Sequence, residues 1–356
     1  MNAQKSMLVS VLVTLMLAAC GPAATPAPAP TEAAPTVAPA LTPTAAPERV
    51  ALKIGVFPLV SQAPLFVAAD GGYFDEQNLD VELLPFTAGQ TEIFTALLNG
   101  DIDAMGFILT TAHINAIAGG ANVRAVANMG FLDQDAECTY AAWMARTELL
   151  ENGTLSGPAA VPGLRIAVGT GTHLEMMAER LLENGGLTMD DVEVSEFRDS
   201  AAMSEALRGG QLDAIPLNEP WITRTRLAGG ADVWVPTAEL FPNLSTSFLF
   251  FGPSMLERDP EVGVRFMTAY LKAARDSGPG RSESAVASVS AATRMSPEEV
   301  NQVCWPTFKQ DGQVDPDSLL LFEEWALSKG YIDAVVAVED LWDPQFVEQA
   351  VAILDK

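Results

Sequence analysis

The feature that most constrains this chain is a supersecondary order that runs twice. Residues 50–57, Val-Ala-Leu-Lys-Ile-Gly-Val-Phe, read as a buried strand, and residues 164–168, Leu-Arg-Ile-Ala-Val, as another. Each is followed by a short turn, a helix, a second strand, a helix closed by glycine, and a short strand carrying Asp-Ala. The third strands arrive in matching frames: Leu97-Leu-Asn-Gly-Asp-Ile-Asp-Ala104 and Leu207-Arg-Gly-Gly-Gln-Leu-Asp-Ala214. Strands alternating with helices call for right-handed crossovers and a mostly parallel sheet. An order that restarts calls for two such sheets, hence an α/β chain of two similar lobes.

In the first lobe the patterning predicts strands over 50–57, 80–86, 101–107 and 123–129, with helices over 63–77, 91–98 and 111–118. In the second it predicts strands over 164–168, 192–197, 211–216 and 231–235, with helices over 174–183 and 201–207 and another opened by Glu219. Residues 247–251, Ser-Phe-Leu-Phe-Phe, read as a strand returning to the first lobe, and from residue 260 onward the pattern is helical. The expected division is lobe 1 over 49–142 and 247–356 and lobe 2 over 143–246, with crossovers near 137–145 and 237–246.

The N-terminus carries an export pattern. Lys5 precedes an apolar stretch over 7–18 that is short for a membrane span and ends in Leu17-Ala18-Ala19-Cys20-Gly21. That ending resembles the bacterial lipobox, in which the cysteine is lipidated and becomes the new N-terminus. Residues 21–47 hold eight Pro and ten Ala and a single charge, Glu32. Such a segment cannot bury a core and serves as a semi-stiff tether. The expectation is a signal over 1–20, a tether over 21–48 and an extracytoplasmic domain anchored to the membrane through Cys20.

Charge then narrows the partners. The 356 residues carry 20 Lys+Arg against 46 Asp+Glu, a formal charge of −26. Phosphate backbones need clustered cations, so a nucleic-acid partner is excluded. Two His and three Cys leave little for a metal centre, and no cofactor or metal is expected. No HExxH, nucleotide loop or defensible Ser-His-Asp spacing occurs, so no catalytic residue is named. With Cys20 taken by lipid, Cys138 and Cys304 are left as an even pair in an oxidising compartment. Two readings stay open for them: a disulfide, or two separate buried thiols.

Residues 58–82 carry a family resemblance. Pro58-Leu-Val-Ser-Gln-Ala-Pro-Leu-Phe-Val-Ala-Ala-Asp-Gly-Gly-Tyr-Phe-Asp-Glu-Gln-Asn-Leu-Asp-Val-Glu82 is similar to the opening of periplasmic solute-binding proteins for nitrate, sulfonates, taurine and thiamine-pyrimidine precursors. Gln77-Asn78 stands where the family usually has Gly. Leu98-Asn-Gly-Asp-Ile-Asp-Ala104, Leu164-Arg-Ile-Ala-Val, the helix start at Gly171-Thr172 and Asp213-Ala-Ile-Pro-Leu-Asn-Glu-Pro220 also match. The resemblance covers about residue 50 to the C-terminus. It implies the type II binding-protein architecture, two lobes closing on a small solute, and delivery to an ABC permease and its ATPase. The related pyrimidine-precursor synthases share the fold but carry a Cys-rich, His-containing motif absent here. An enzyme of that type, or an extracellular sensor, is the alternative.

Open α/β sheets bind ligands at the carboxyl ends of their strands. In the first lobe those ends bring Ser61, Gln62, Gly89, Phe107 and Thr111; in the second, Thr170, Gly171, Thr172, Asn218, Glu219 and Trp221. Short hydroxyl and glycine residues there expose N–H groups to an anionic group. Ser61, Thr111 and Thr172 serve equally well as helix caps, and convergence on one cleft is what the resemblance implies. Glu219 has two readings: a favourable charge at a helix start, or a partner for a ligand amine. Arg198 is the one cation at a mouth position, so an amine-bearing, zwitterionic or neutral heteroaromatic solute fits better than a multiply charged anion. His173 is read as a cap or ligand contact, His113 as core or surface, and Asp133 and Asp135 as rim charges.

Overall fold

The computed structural model describes residues 49–86, 90–197, 199–278 and 280–356. The expected signal and tether, with Cys20, lie outside the described residues, as do Gly89 and Arg198. In chain order the first strands are β1 (Val50–Val56), β2 (Leu79–Pro85), β3 (Ala104–Ile108) and β4 (Arg124–Phe131). They are followed by β5 (Ala141–Arg146), β6 (Arg165–Val168), β7 (Glu193–Glu196), β8 (Ala214–Asn218), β9 (Ala231–Pro236) and β10 (Ser245–Phe251). They form two five-stranded sheets, ordered β2-β1-β3-β10-β4 and β7-β6-β8-β5-β9. The expected pair of α/β lobes is what the chain builds.

Each sheet is mixed rather than wholly parallel. β10 runs antiparallel between β3 and β4, and β5 antiparallel between β8 and β9. The return of β10 to the first sheet matches the sequence reading. β5 does not: its Ala-Ala-Trp-Met-Ala-Arg falls in the stretch assigned to a crossover. Nothing in that string alternates with period two, and pairing along both edges, with β8 and with β9, is what makes it a strand. The segment over 63–77 is two helices, Ala63–Asp70 and Tyr73–Glu76, because Gly71-Gly72 intervenes and Gly72 sits at φ 73°.

The repeated Asp-Ala motif has one job in both sheets. Asp103 accepts the Lys53 N–H through its carboxylate at 2.8 Å, and its backbone N–H donates to the Lys53 carbonyl at 2.7 Å. Asp213 does the same to Arg165, at 3.0 and 2.7 Å. Their carbonyls then accept N–H groups at the ends of the antiparallel strands, Gly252 at 3.0 Å and Arg146 at 3.2 Å. Both carboxylates also hold guanidinium groups, Arg258 on Asp103 and Arg165 with Arg146 on Asp213. Burial pushes the Asp213 carboxyl up, but the hydrogen bonds from Arg165 and Arg146 outweigh it and keep it below the usual range.

The C-terminal helices cover the first sheet and reach past it. A continuous apolar core runs from the first sheet through Phe322 and Ala326 of the helix Pro316–Ser328 into Met176, Met177 and Leu181 of the helix His173–Asn184. The other face of the second sheet has its own cluster around Met203, Leu207 and Ile222. Two crossovers join the sheets, residues 132–140 and 237–244. They are bonded to each other by Leu132 N–H to Leu244 O and Asn243 N–H to Leu132 O, and Tyr140 Oη of the first meets Thr246 Oγ1 of β10 at 2.8 Å. Cys138, in the first crossover, is disulfide-bonded to Cys304, which decides between the two readings of that pair. No described helix is long and apolar enough to cross a membrane.

Two outcomes are expected. Alkylation of the unfolded, unreduced chain should leave Cys138 and Cys304 unmodified, and reduction should free both and cost roughly 2–5 kcal/mol of stability. Asp213→Asn should lower the unfolding free energy by about 2–4 kcal/mol at pH 7, read by urea unfolding. Because the folded carboxyl is held low, the wild-type advantage is full above about pH 4 and fades as pH drops through the folded value.

Candidate functional site

The carboxyl ends of β1, β3, β6 and β8 all lead into turns that precede helices, and the first and second lobes meet there. Thr110 and Thr172 form an antiparallel bridge, and the Thr111 N–H donates to the Gly171 carbonyl at 3.2 Å. Gly171 sits at φ 70°, and a Cβ on it would lie 2.8 Å from Thr111 Oγ1. Only glycine lets the two loops approach this closely. Thr111, Gly171 and Thr172, drawn from opposite lobes, are therefore side by side.

The polar groups named from sequence divide into two sets. In the first set every polar atom has work inside the fold. Gln62, 2% exposed, accepts the Phe57 N–H at 3.0 Å and donates to the Gly106 carbonyl at 2.8 Å, tying the end of β1 to β3. Thr172 donates to Gly169 O at 2.6 Å and accepts the Leu174 N–H at 3.1 Å, which makes it the cap of the following helix. The Gly171 N–H donates to Glu175 Oε2 at 2.7 Å, so an internal carboxylate occupies the donor that sequence offered to an anion.

Glu219 belongs to this first set. It is 4% exposed, and burial pushes its carboxyl up. Its Oε1 accepts the Thr223 hydroxyl at 2.7 Å and the Cys304 N–H at 3.3 Å, and Oε2 accepts the Thr223 N–H at 3.1 Å. Its own N–H donates to Tyr140 O at 2.9 Å. The carboxylate thus closes the first turn of the helix Trp221–Ala228 and binds that turn to the disulfide-bonded segment.

The second set is open. Among the described residues the side chains of Ser61, Thr111, Thr170 and Asn218 make no hydrogen bond, and each is half-buried or exposed. Phe107 is half-buried and packs on Phe57 with ring centroids 4.7 Å apart. Trp221, also half-buried, lies under the Arg224 guanidinium at 5.2 Å, and Arg224 Nη2 donates to Thr293 O at 3.0 Å. Two aromatic surfaces and four uncommitted polar groups thus stand at strand ends of the two lobes.

Sequence reasoning missed Glu175, Tyr140 and Arg224. Thr172-His-Leu-Glu175 has the Ser/Thr-x-x-Glu spacing of a capping box, which points to a carboxylate folding back on this turn; here it reaches one residue further, to Gly171. Tyr140 and Arg224 leave no such signal, since their partners are distant in sequence. Both histidines are 1% exposed: burial pushes His113 down to about 3 and His173 down to about 4. Of the rim charges, Asp133 accepts the Thr307 hydroxyl at 3.0 Å and the Asp135 N–H at 3.0 Å. A separate groove of about 600 Å³ lies at the crossovers, lined by Asp133, Cys138, Tyr140, Pro236, Glu239 and Trp305. None of the residues expected to bind solute lines it.

Comparison with known proteins follows the geometry. A binding protein of Brucella abortus (strain 2308) is 24% identical over 211 residues, which is 59% of this chain and 61% of that protein. The chain thus matches under two thirds of that relative's length. The periplasmic nitrate-binding protein NrtA from Synechocystis PCC 6803 superposes with a TM-score of 0.71 at 17% identity, over 87% of this chain and 90% of that one. The periplasmic aliphatic sulphonate binding protein SsuA from Escherichia coli gives 0.65 at 18%, over 83% and 92%. The desulfurization enzyme DszB gives 0.62 at 17%, over 86% and 100%, so the same fold also hosts catalysis. At these identities the superpositions show a shared fold. The model of the NMT1-like family matches residues 45–291, which hold every strand of both sheets, and the chain belongs to that family.

Proposed function

We propose that this protein is the solute-binding component of an ABC-type importer. It captures a small nitrogen- or sulfur-containing solute of the nitrate, sulfonate, taurine or pyrimidine-precursor class between its lobes and delivers it to a membrane permease driven by an ATPase. The observation that carries this reading is the set of uncommitted groups at facing strand ends: Ser61, Phe107 and Thr111 from one lobe, Thr170, Asn218 and Trp221 from the other. Gln62, Gly171, Thr172 and Glu219 shape the walls through the bonds described above.

The family membership and the binding-protein relatives support this reading. The division into lobe 1 over 49–142 and 247–356 and lobe 2 over 143–246 is part of it, as is an anchor formed by lipid on Cys20 outside the cytoplasm. The catalytic alternative has less to work with. Cys138 and Cys304 are joined to each other, and both histidines are buried in aromatic packing. Among the described residues neither residue type offers the cleft a free thiol or an exposed imidazole.

Calorimetric titration with nitrate, taurine, alkanesulfonates and aminopyrimidines tests the proposal. One class should bind, and Asn218→Ala or Trp221→Ala should weaken it by about 1–3 kcal/mol with little change in melting temperature. Glu219→Gln should do the reverse, lowering the melting temperature while affinity holds, because an amide has one accepting oxygen where the carboxylate uses two, and its NH2 would face a donor N–H. Affinity indifferent to Asn218 and Trp221 together would remove the site from this cleft. For the anchor, Cys20→Ser should move the protein from the membrane to the soluble fraction; a variant still processed and membrane-bound would refute lipidation.

A further inference from the structure

The bridge between Cys138 and Cys304 joins two unlike surroundings. Cys138 is exposed on the first crossover and lines the groove of about 600 Å³. Cys304 is 8% exposed and belongs to the apolar core of the C-terminal cover, with Val300, Val303 and Trp305. The segment around Cys304 is held independently of the bridge. The Trp305 indole N–H donates to the Val300 carbonyl at 3.3 Å, and the Cys304 N–H to Glu219 Oε1 at 3.3 Å. The crossover is held at its two ends. Toward the first lobe, Phe131 and Thr307 form an antiparallel bridge and the Thr307 hydroxyl donates to Asp133 at 3.0 Å. Toward the second, the Tyr140 carbonyl accepts the Glu219 N–H at 2.9 Å. Residues 134–138 between these ends are all exposed. Their hydrogen bonds are local, the Asp135 N–H to Asp133 Oδ1 and the Ala136 N–H to Asp133 O. Among the described residues the disulfide is the one bond that ties this stretch to a distant part of the chain.

We propose that the Cys138–Cys304 bridge is a redox-responsive strap on the first crossover: a thiol carrying no other negative charge enters the groove, attacks Cys138 Sγ and frees residues 134–138 to flex. The proposal goes beyond the transport reading and does not depend on it.

Thiol–disulfide exchange proceeds by attack of a thiolate on one sulfur of the pair, and access decides which sulfur is struck. Here the accessible partner is Cys138, and Cys304 is shielded by the cover. The attacking thiolate bonds to Cys138 Sγ as the bond between the two cysteines breaks. Cys304 leaves as a thiolate and takes up the proton that the attacking thiol lost. A second thiol then attacks the reagent's own sulfur in this mixed disulfide, and Cys138 leaves as a thiol. In sum two reagent thiols are oxidised to one disulfide while the bridge is reduced to two thiols. The same steps run backward when reagent disulfide is in excess, which restores the strap.

Charge selects the reagent. Asp133, Glu137 and Glu239 line the groove beside Cys138. Lys309 lies over the ring of Phe131 and Arg281 over that of Trp305, yet neither cation lines the groove itself. The formal charge of the whole chain, −26, acts in the same direction. A thiolate brings one negative charge to this place whatever its origin. A further negative group on the reagent is repelled, and a positive group is attracted, and salt weakens both effects.

The test treats the bridged full chain with cysteamine, 2-mercaptoethanol and 2-mercaptoethanesulfonate at equal thiolate concentration, each rate taken relative to a small neutral disulfide. The cationic thiol should react fastest and the sulfonate slowest, about 3- to 10-fold apart at low ionic strength and closer together in about 1 M salt. After acid quench, unfolding and alkylation, peptide masses should place the reagent on Cys138 and the alkyl group on Cys304. A glutamate-specific protease then reads the strap. In the folded chain reduced with dithiothreitol, cleavage after Glu137 should run about 5-fold or more faster than in the bridged chain. Cleavage at other glutamates and the far-ultraviolet dichroism should not change. The double variant Cys138→Ser, Cys304→Ser should match the reduced chain and ignore dithiothreitol. Reagent found on Cys304, rates that ignore charge, or cleavage after Glu137 that ignores the bridge overturns the proposal. A chain that unfolds as it is reduced overturns it too, since the bridge is then a structural bond only.

Discussion

The structure hangs on two aspartates. Asp103 and Asp213, each just before the central strand of its sheet, bond the backbone of the parallel neighbour, β1 or β6, and, through their own carbonyl, the end of the antiparallel neighbour, β10 or β5. A carboxylate that accepts an N–H and guanidinium groups together fixes three strands relative to one another at a single point. These clamps lie at the entry to β3 and β8, opposite the ends that carry the candidate site. With one end of each sheet locked, the turns at the other end, around Ser61, Thr111, Thr172 and Asn218, emerge in fixed positions, and the two lobes can meet there in register.

Where the lobes meet, the backbone does much of the joining. Thr111 N–H to Gly171 O and the Thr110–Thr172 bridge bring the loops together directly. Glu175 and Glu219 then occupy donors at the two helix starts of the second lobe. An internal carboxylate at such a place satisfies N–H groups that an anionic solute would otherwise claim. Among the described residues the candidate polar groups that remain are neutral hydroxyls and an amide beside two aromatic faces.

The C-terminal cover is more than padding on one sheet. Cys304 is bonded to Cys138 in the first crossover, its N–H reaches Glu219, and Thr293 accepts Arg224 of the second lobe. On the other side Phe322, Trp325 and Tyr331 meet His173, Glu179 and Glu175. The cover touches the second lobe on both flanks, so any relative motion of the lobes has to work against it. The shared apolar core between the two flanking helices has the same consequence.

Much of the architecture was legible in the sequence, because buried strands and glycine-ended helices announce themselves through local pattern. The doubled order, the first four strands, the return of β10 and the helical C-terminus all rest on such pattern. The Asp-Ala repeat was legible too, though only as a marker of order; its clamp is a contact across fifty residues in one sheet and forty-eight in the other. β5 was not legible, since an alanine-rich run becomes a strand only when two neighbours pair with it. The candidate site was half legible. Strand ends and short polar turns located Gln62, Gly171, Thr172 and Glu219, yet which of their atoms are free depends on partners such as Gly106, Glu175 and Cys304. The bond between Cys138 and Cys304, 166 residues apart, stood open for the same reason. Local residue type determines which elements form and where their polar ends fall; long-range proximity, set by tertiary packing, decides which of those ends remain available to a solute.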